Sequence, residues 1–309
     1  MADERDERAL AAIETALTGC PSAGFKLRLR KELETTIMMS GGASTLKPAP
    51  GVRPGFTAVT PYLVAADVEQ LIEFARRVFD AEETGRALHG PGGTVTHCEM
   101  RIGDSMVMLG GGAGMAPRPV GLHIYVDDAD AVYQRALEAG AEALGAPEDK
   151  HYGERSGSVK DPAGNHWYIA TRTGPSYFAE RPRTVTPSVF VQARPALGAP
   201  EFIGFLEAAF GARLEMRNDS PDGTVRHAVV RLEGAAIEVG EVHAPSSLGT
   251  AGFYLYVKDC DALYRQAIAA GARSLWVPVD MPYGDRSGGV MDTWGNLWNI
   301  ATHPLGNEP

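Results

Sequence analysis

IYVDDADAVYQRALEAGAEAL, from Ile124 to Leu144, returns as LYVKDCDALYRQAIAAGARSL, from Leu255 to Leu275. HYGERSGSVKDPAGNHWYIAT, from His151 to Thr171, returns as PYGDRSGGVMDTWGNLWNIAT, from Pro282 to Thr302. The offset is 131 positions in both cases, 124 to 255 and 151 to 282. A constant offset over long segments marks a duplicated domain. The first copy runs over residues 56–173 and the second over 183–303, with 174–182 between them and a short tail at 304–309. In the first copy, apolar alternation predicts strands over 58–64, 94–102, 105–109, 122–126, near 156–160 and over 166–170. Period-four spacing predicts helices over 68–79 and 129–139. The order is βαβββ twice per copy, so the chain reads as an α+β protein of four modules. Gly140 and Gly271 stand where a left-handed residue ends a helix. Asp128 and Asp259 stand where a carboxylate caps one.

Upstream, Leu10, Ile13 and Leu17 share a helical face, and Phe25, Leu29, Leu33 and Ile37 follow at steps of four. This pattern predicts a helical hairpin over residues 1–40. A Gly- and Pro-rich stretch at 41–55 reads as a flexible linker.

The chain has 309 residues, enough for two full cores. A net charge of -10 argues against a nucleic-acid surface or an anionic membrane as partner. Cys20, Cys98 and Cys260 are too scattered for a disulfide framework, which points to a reducing cytoplasm. The start, MADERDERAL, lacks the apolar core of a secretory signal. No apolar run is long enough to span a membrane.

The VxDxDAxYxxAxxAGA-type segment and the YGxRSGxVxDPxGNxW-like endings resemble the vicinal oxygen chelate superfamily. The chain is most similar to its glyoxalase/bleomycin-resistance group and, within that, to the PhnB-like branch. TPYLVAADVEQLIEFARRVFDAEE and HCEMRIGDSMVMLGG add to the likeness. It covers nearly everything from Phe56 to His303. The resemblance implies cup-shaped sheets with helices outside and a concave cleft inside. It also implies one divalent ion per cleft, held by His, Gln or Glu from four strands. Those positions fall on Thr60, Met108, Gly121 and Tyr168 in the first copy, and on Thr186, Glu238, Gly252 and Asn299 in the second. Only Glu238 is a usual ligand. The expectation is therefore no family-type metal centre and no cofactor.

Strand alternation sorts the remaining side chains. Cys98, Met100, Leu122, Ile124, Trp167 and Ile169 turn toward the helices. Tyr62, His97, Glu99, His123, Tyr125, His166 and Tyr168 then face a cup. Taking one cup per copy as the simplest arrangement, they form a single pocket, although modules exchanged between copies would divide them. In the second copy His227, Glu238, Tyr254, Tyr256 and Asn299 face inward. His97, Glu99, His227 and Glu238 are the candidates for acid–base work, because histidine titrates near neutrality and an inward carboxylate needs a partner. His227 is the expected partner of Glu238. The plainer reading of the histidines is polar walling of a ligand cup.

Arg155 and Arg286 belong to the repeated YGxRSG segment. Pairing with Asp161 and Asp292 is favoured over clamping a ligand anion. GGGAG at 110–114 precedes a strand and no helix, which argues against a phosphate loop. The resulting expectation is a binder of a small, aromatic or polar organic molecule. The alternative is a glyoxalase-type lyase or isomerase, or a dioxygenase-like enzyme, using the cleft His and Glu as acid–base groups or as unusual metal ligands. The duplication makes a pseudo-dimer within one chain, and a homodimer of such chains is compatible with it. The two cups are expected to differ.

Overall fold

The computed structural model describes residues 51–112, 115–174, 183–242 and 250–304. The hairpin expected over 1–40 lies outside the described residues.

Four βαβββ modules are present. The first holds β1 (Val59–Ala65), α1 (Val68–Phe79), β2 (Glu82–His89), β3 (Val95–Ile102) and β4 (Ser105–Gly111). The second holds β5 (Gly121–Tyr125), α2 (Ala129–Glu138), β6 (Glu142–Lys150), β7 (Glu154–Lys160) and β8 (His166–Arg172). The third holds β9 (Val185–Gln192), α3 (Ala199–Phe210), β10 (Arg213–Asp219), β11 (Val225–Leu232) and β12 (Ala235–Val242). The fourth holds β13 (Gly252–Tyr256), α4 (Cys260–Ala269), β14 (Arg273–Asp280), β15 (Arg286–Met291) and β16 (Leu297–Thr302).

The modules pair across the duplication. One eight-stranded sheet runs β14-β15-β16-β13-β1-β4-β3-β2, joining modules one and four. The other runs β10-β11-β12-β9-β5-β8-β7-β6, joining modules two and three. Each seam is antiparallel: Thr60 lies opposite Tyr254, and His123 lies opposite Thr186. The arrangement with one cup per copy is therefore corrected. Each cup is shared by both copies, because each seam joins first strands from different copies.

Local chemistry explains the elements. Asp67, Asp128 and Asp259 each accept a backbone N–H three residues on, at 2.9–3.0 Å. Gly140 and Gly271 take the left-handed backbone (φ 93 and 102) that ends α2 and α4. The apolar faces of all four helices close over the convex sides of the sheets, around Trp167, Trp298, Phe202 and Phe253.

The repeated DPxGNxW-type ending is a structural knot. Asp161 accepts from the backbone of Ala163 and Asn165, from Asn165 Nδ2 and from Trp167 Nε1, all at 2.9 Å. Asn165 in turn accepts the Val120 N–H at 3.1 Å, where the chain enters β5. Asp292, Asn296, Trp298 and Ala251 repeat the pattern at 2.8–2.9 Å. These bonds use Asp161 and Asp292 fully, so the pairing expected with Arg155 and Arg286 is corrected. Arg155 binds Asp130 and Asp149 instead, and Arg286 binds Asp261 and Asp280.

Replacing Asp161 by Ala leaves three buried donors and one half-buried donor unmet. The expected loss of unfolding free energy in urea is about 3 kcal/mol. A loss below about 1 kcal/mol would show that the turn holds without its carboxylate.

Candidate functional site

The first cup, built by modules one and four, holds Tyr62, His97, Glu99, Tyr254, Tyr256 and Asn299. The second cup, built by modules two and three, holds His123, Tyr125, His166, Tyr168, His227 and Glu238. The seven residues expected to share one pocket in the first copy are thus split three to four.

The first cup encloses a cavity of about 450 Å³. Its walls include Tyr62, Tyr254, Tyr256, Tyr283 and Trp276. Glycines make room for these rings: a Cβ at Gly110 would stand 2.2 Å from the Tyr62 hydroxyl, and one at Gly289 would stand 2.4 Å from the Trp276 ring. This explains the opening glycine of the GGGAG run, which seats an aromatic ring. Val64 and Met108 complete an apolar side.

Polar groups sit at one end of the cavity and behind its wall. Tyr62 Oη is 3.3 Å from His97 Nδ1, and His97 Nε2 is 3.6 Å from Glu99 Oε1. Glu99 is buried and accepts from Arg53 Nη1 at 2.5 Å. Arg53 stands 4.8 Å over the Phe56 ring, and Phe56 packs edge-on against Tyr256. Val52 is buried in the same cluster. Residues 51–56, in part read as linker, are thus packed against the first cup. Burial works against the Arg53 charge, but hydrogen bonds to Glu99 and Tyr256 and the attraction of both groups together outweigh it, and the pKa is raised. Asp285 accepts from Tyr256 at 3.1 Å and Tyr254 at 3.3 Å, and its other oxygen lies 2.6 Å from His303 Nδ1. Burial pushes the Tyr62 phenol up to about 12 and raises those of Tyr254 and Tyr256. They remain hydrogen-bond donors throughout the neutral range. Asn299 Nδ2 donates to the Phe253 carbonyl at 3.1 Å.

The second cup is built differently. His123 Nδ1 is 3.0 Å from Glu238 Oε1, and Ser188 donates to Glu238 Oε2 at 2.9 Å. His123 Nε2 lies 3.7 Å from Glu154 Oε2, and neither atom has a hydrogen-bond partner. Tyr125 donates to the other Glu154 oxygen at 2.7 Å. His227 Nε2 lies 3.8 Å from Glu238. The nearer histidine to Glu238 is therefore His123, with the expected His227 further off at 3.8 Å, because the seam brings His123 across from the other copy. Burial would raise the Glu238 carboxyl, but the His123 imidazole wins and holds it below the usual range. Burial would lower His123, and Glu238 raises it on balance. His166 is lowered, by burial first and Lys160 second. Burial, with Glu238 behind it, pushes Tyr168 up to about 12. Phe190 occupies the place equivalent to Val64, with its ring against Gly121, Gly240 and Tyr168.

The residues do not fit a family-type metal. In the first cup the four positions are Thr60, Met108, Gly252 and Asn299. The thioether is buried among Tyr254 and Tyr256, and the amide nitrogen faces a carbonyl. In the second cup they are Thr186, Glu238, Gly121 and Tyr168, with both Glu238 oxygens engaged by His123 and Ser188. Among the described residues no three His, Cys, Asp or Glu side chains converge to hold an ion. Hard divalent ions require several charged or carbonyl oxygens, or imidazoles, around one point.

The alternation pattern missed Arg53, Ser188, Trp276, Asp285 and Glu154. The last two were within reach, since the repeat keeps an acid in YGER and YGDR.

The model of the Glyoxalase/Bleomycin resistance protein/Dioxygenase superfamily matches residues 56–169 and 198–300. An uncharacterized protein of Mycobacterium bovis is 43% identical over 124 residues, covering 36% of this chain and 81% of the relative. An uncharacterized protein of Mycobacterium tuberculosis has the same identity over 124 residues, covering 36% and 72%. Glyoxalase I from Zea mays superposes with a TM-score of 0.61 at 16% identity, over 79% of this chain and 92% of that one. A putative dioxygenase from Bacillus subtilis superposes with a TM-score of 0.55 at 14% identity, over 80% and 85%. At these identities the structural likeness speaks to fold alone.

Replacing His123 or Glu238 by Ala should each cost about 3 kcal/mol, because each removes the main charge partner of a buried group, leaving Glu238 with Ser188 and the more distant His227, or His123 with Glu154 alone. The double variant H123A/E238A should cost about 2 kcal/mol less than the single losses added together, because the two groups are coupled. The pH signs follow from the shifts. The Glu238 contribution is present above its ordinary value of 4.5 and is lost as pH falls through the depressed one. The His123 contribution is full below its ordinary value of 6.5 and is lost as pH rises through the raised one. Urea denaturation of the four proteins across this range checks both points. Additive losses would show that the pair is not a unit.

Proposed function

The chain belongs to the glyoxalase/bleomycin resistance protein/dioxygenase superfamily, and on that premise we propose that its first cup binds a flat aromatic organic molecule without a metal ion. The observation that carries this is the cavity of about 450 Å³ walled by four tyrosines and a tryptophan. Ligand sites of a few hundred Å³ lined by rings with few polar groups favour planar guests, which stack on the walls. Tyr62, Tyr254, Tyr256 and Asn299 are the ligand-contacting groups in this reading, and His97 and Glu99 supply the polar end. The motifs quoted from residues 56–173 fit the PhnB-like branch. The free thiols of Cys98 and Cys260 fit a reducing cytoplasm.

A second reading has an observation of its own. His123 lies between Glu238 and Glu154, with its Nε2 buried and unpartnered. An imidazole held by a carboxylate on one nitrogen is a proton acceptor at the other. Tyr125, His166, Tyr168 and His227 surround it in this reading. A metal-free isomerase or lyase would use that centre. Turnover of an α-hydroxy or α-keto substrate that disappears in His123→Ala and persists in Glu99→Gln would favour it over binding alone.

Trp276 is 41% exposed, whereas Trp167 and Trp298 are 1% and 0% exposed. Ligand entry should therefore quench Trp276 fluorescence, and Trp276→Phe should remove the signal. Tyr283→Ala should weaken binding about tenfold, the worth of one ring contact. A screen of planar aromatics that quenches nothing, or quenching that survives Trp276→Phe, would end the proposal.

A further inference from the structure

We infer that the ligand of the first cup is a flat organic cation, a quaternised or protonated aromatic amine whose charge rests against Glu99. This deepens the aromatic-binder reading and depends on it. Among the described residues lining the cavity, Glu99 is the only Asp, Glu, Lys or Arg side chain. It is 1% exposed and lines a cavity whose other walls are mostly aromatic rings and apolar side chains. A second acid reinforces it from behind the wall. Asp285, also 1% exposed, accepts the hydroxyls of Tyr254 and Tyr256. A phenol that donates to a carboxylate holds more negative charge on its ring. That strengthens the attraction of the ring face for a cation.

Arg53 shows the preference within the molecule. Its guanidinium is a flat cation. It binds Glu99 at 2.5 Å and stands 4.8 Å over the Phe56 ring. Carboxylate in front and aromatic face beneath is the recognition offered to a ligand, met here by a side chain from the segment before β1. The guanidinium keeps 22% exposure and does not line the cavity, so it serves as a stand-in at the edge of the site. A ligand cation competes with it for the same carboxylate. An anionic ligand would find no Lys or Arg among the lining residues and would lie beside Glu99, whose charge Arg53 offsets from outside the cavity. The second cup differs at the decisive place: Val229 stands at the position of Glu99 and Ser188 at that of Tyr62, while its own acids are engaged by neighbours, Glu238 by His123 and Ser188 and Glu154 by Tyr125.

The test compares one ring system in three charge states. 1-Methylquinolinium, quinoline and quinoline-4-carboxylate are titrated calorimetrically into the full chain at about pH 8, where they carry positive, zero and negative charge. The cation should bind at least about tenfold more tightly than the neutral ring, and the anion most weakly. Glu99→Gln should cancel the preference for the cation over the neutral ring, bringing the ratio of their affinities to about one. Arg53→Met should act in the opposite direction and tighten the cation severalfold, because it removes the competitor. A merely structural ion pair would weaken binding in both variants. If Glu99→Gln fails to fold by circular dichroism, the sign of the Arg53→Met effect decides alone. Equal affinity for cation and neutral ring, or preference for the anion, overturns the inference and leaves aromatic binding standing. No binding of any of the three overturns both.

Discussion

Two short antiparallel seams hold the described fold in its arrangement. β1 meets β13, and β5 meets β9, each over only a few residues. Each seam carries a proline, Pro61 or Pro187, which has no N–H to give. The ladder is therefore thin at the junctions that decide which residues face one another. What it lacks is supplied by the cup interiors. His123 reaches Glu238 across one seam, and Phe56, Tyr62, Met108, Tyr254 and Tyr256 pack across the other. The side chains that face a ligand are also those that join the two copies.

This coupling explains how the cups diverged. At the position of His123 the other cup has Tyr254, and at that of Glu238 it has Met108. An isolated change at either place would bury an unpartnered charge or an unmet donor, and both are costly. Changed together, the pair becomes an apolar contact, and the tyrosine finds its acceptor in Asp285, which replaces Glu154. The swap of Val64 for Phe190 follows the same division: one interior stays open, and the other has an aromatic ring set against two glycines.

The fold was legible because the repeat doubles every signal. Helix bounds, caps and the faces of β3, β5 and β8 follow from periodicity alone. β2 and β6 were not located from the pattern, because both are edge strands. β6 has few half-buried positions and none fully buried, so no apolar alternation marks it. The candidate site was legible residue by residue but not in its grouping. Alternation says that His97 and His123 both face inward, and it is silent on which cup each enters. That depends on which modules pair, a choice the quoted motifs leave open. Arg53 was invisible for another reason. It lies in a stretch rich in Gly and Pro whose composition reads as linker, while its role comes from one carboxylate far along the chain.

Arg53 and Glu99 also show why a buried acid here bears on ligand choice more than on stability. A carboxylate at 1% exposure needs a cation or several donors, since desolvation of an isolated charge is prohibitive. An apolar residue would fit β3 at no such cost, and the second cup has Val229 at that position. Retaining a carboxylate beside a cavity therefore gains little for the fold, because a buried ion pair seldom outperforms well-packed apolar groups. Its partner comes from a segment before the first strand, held over the Phe56 ring and against Tyr256, and is not itself part of the sheet. A charge built into the wall but neutralised from the edge is suited to exchange: the same carboxylate that binds Arg53 can receive another flat cation without reordering the sheet.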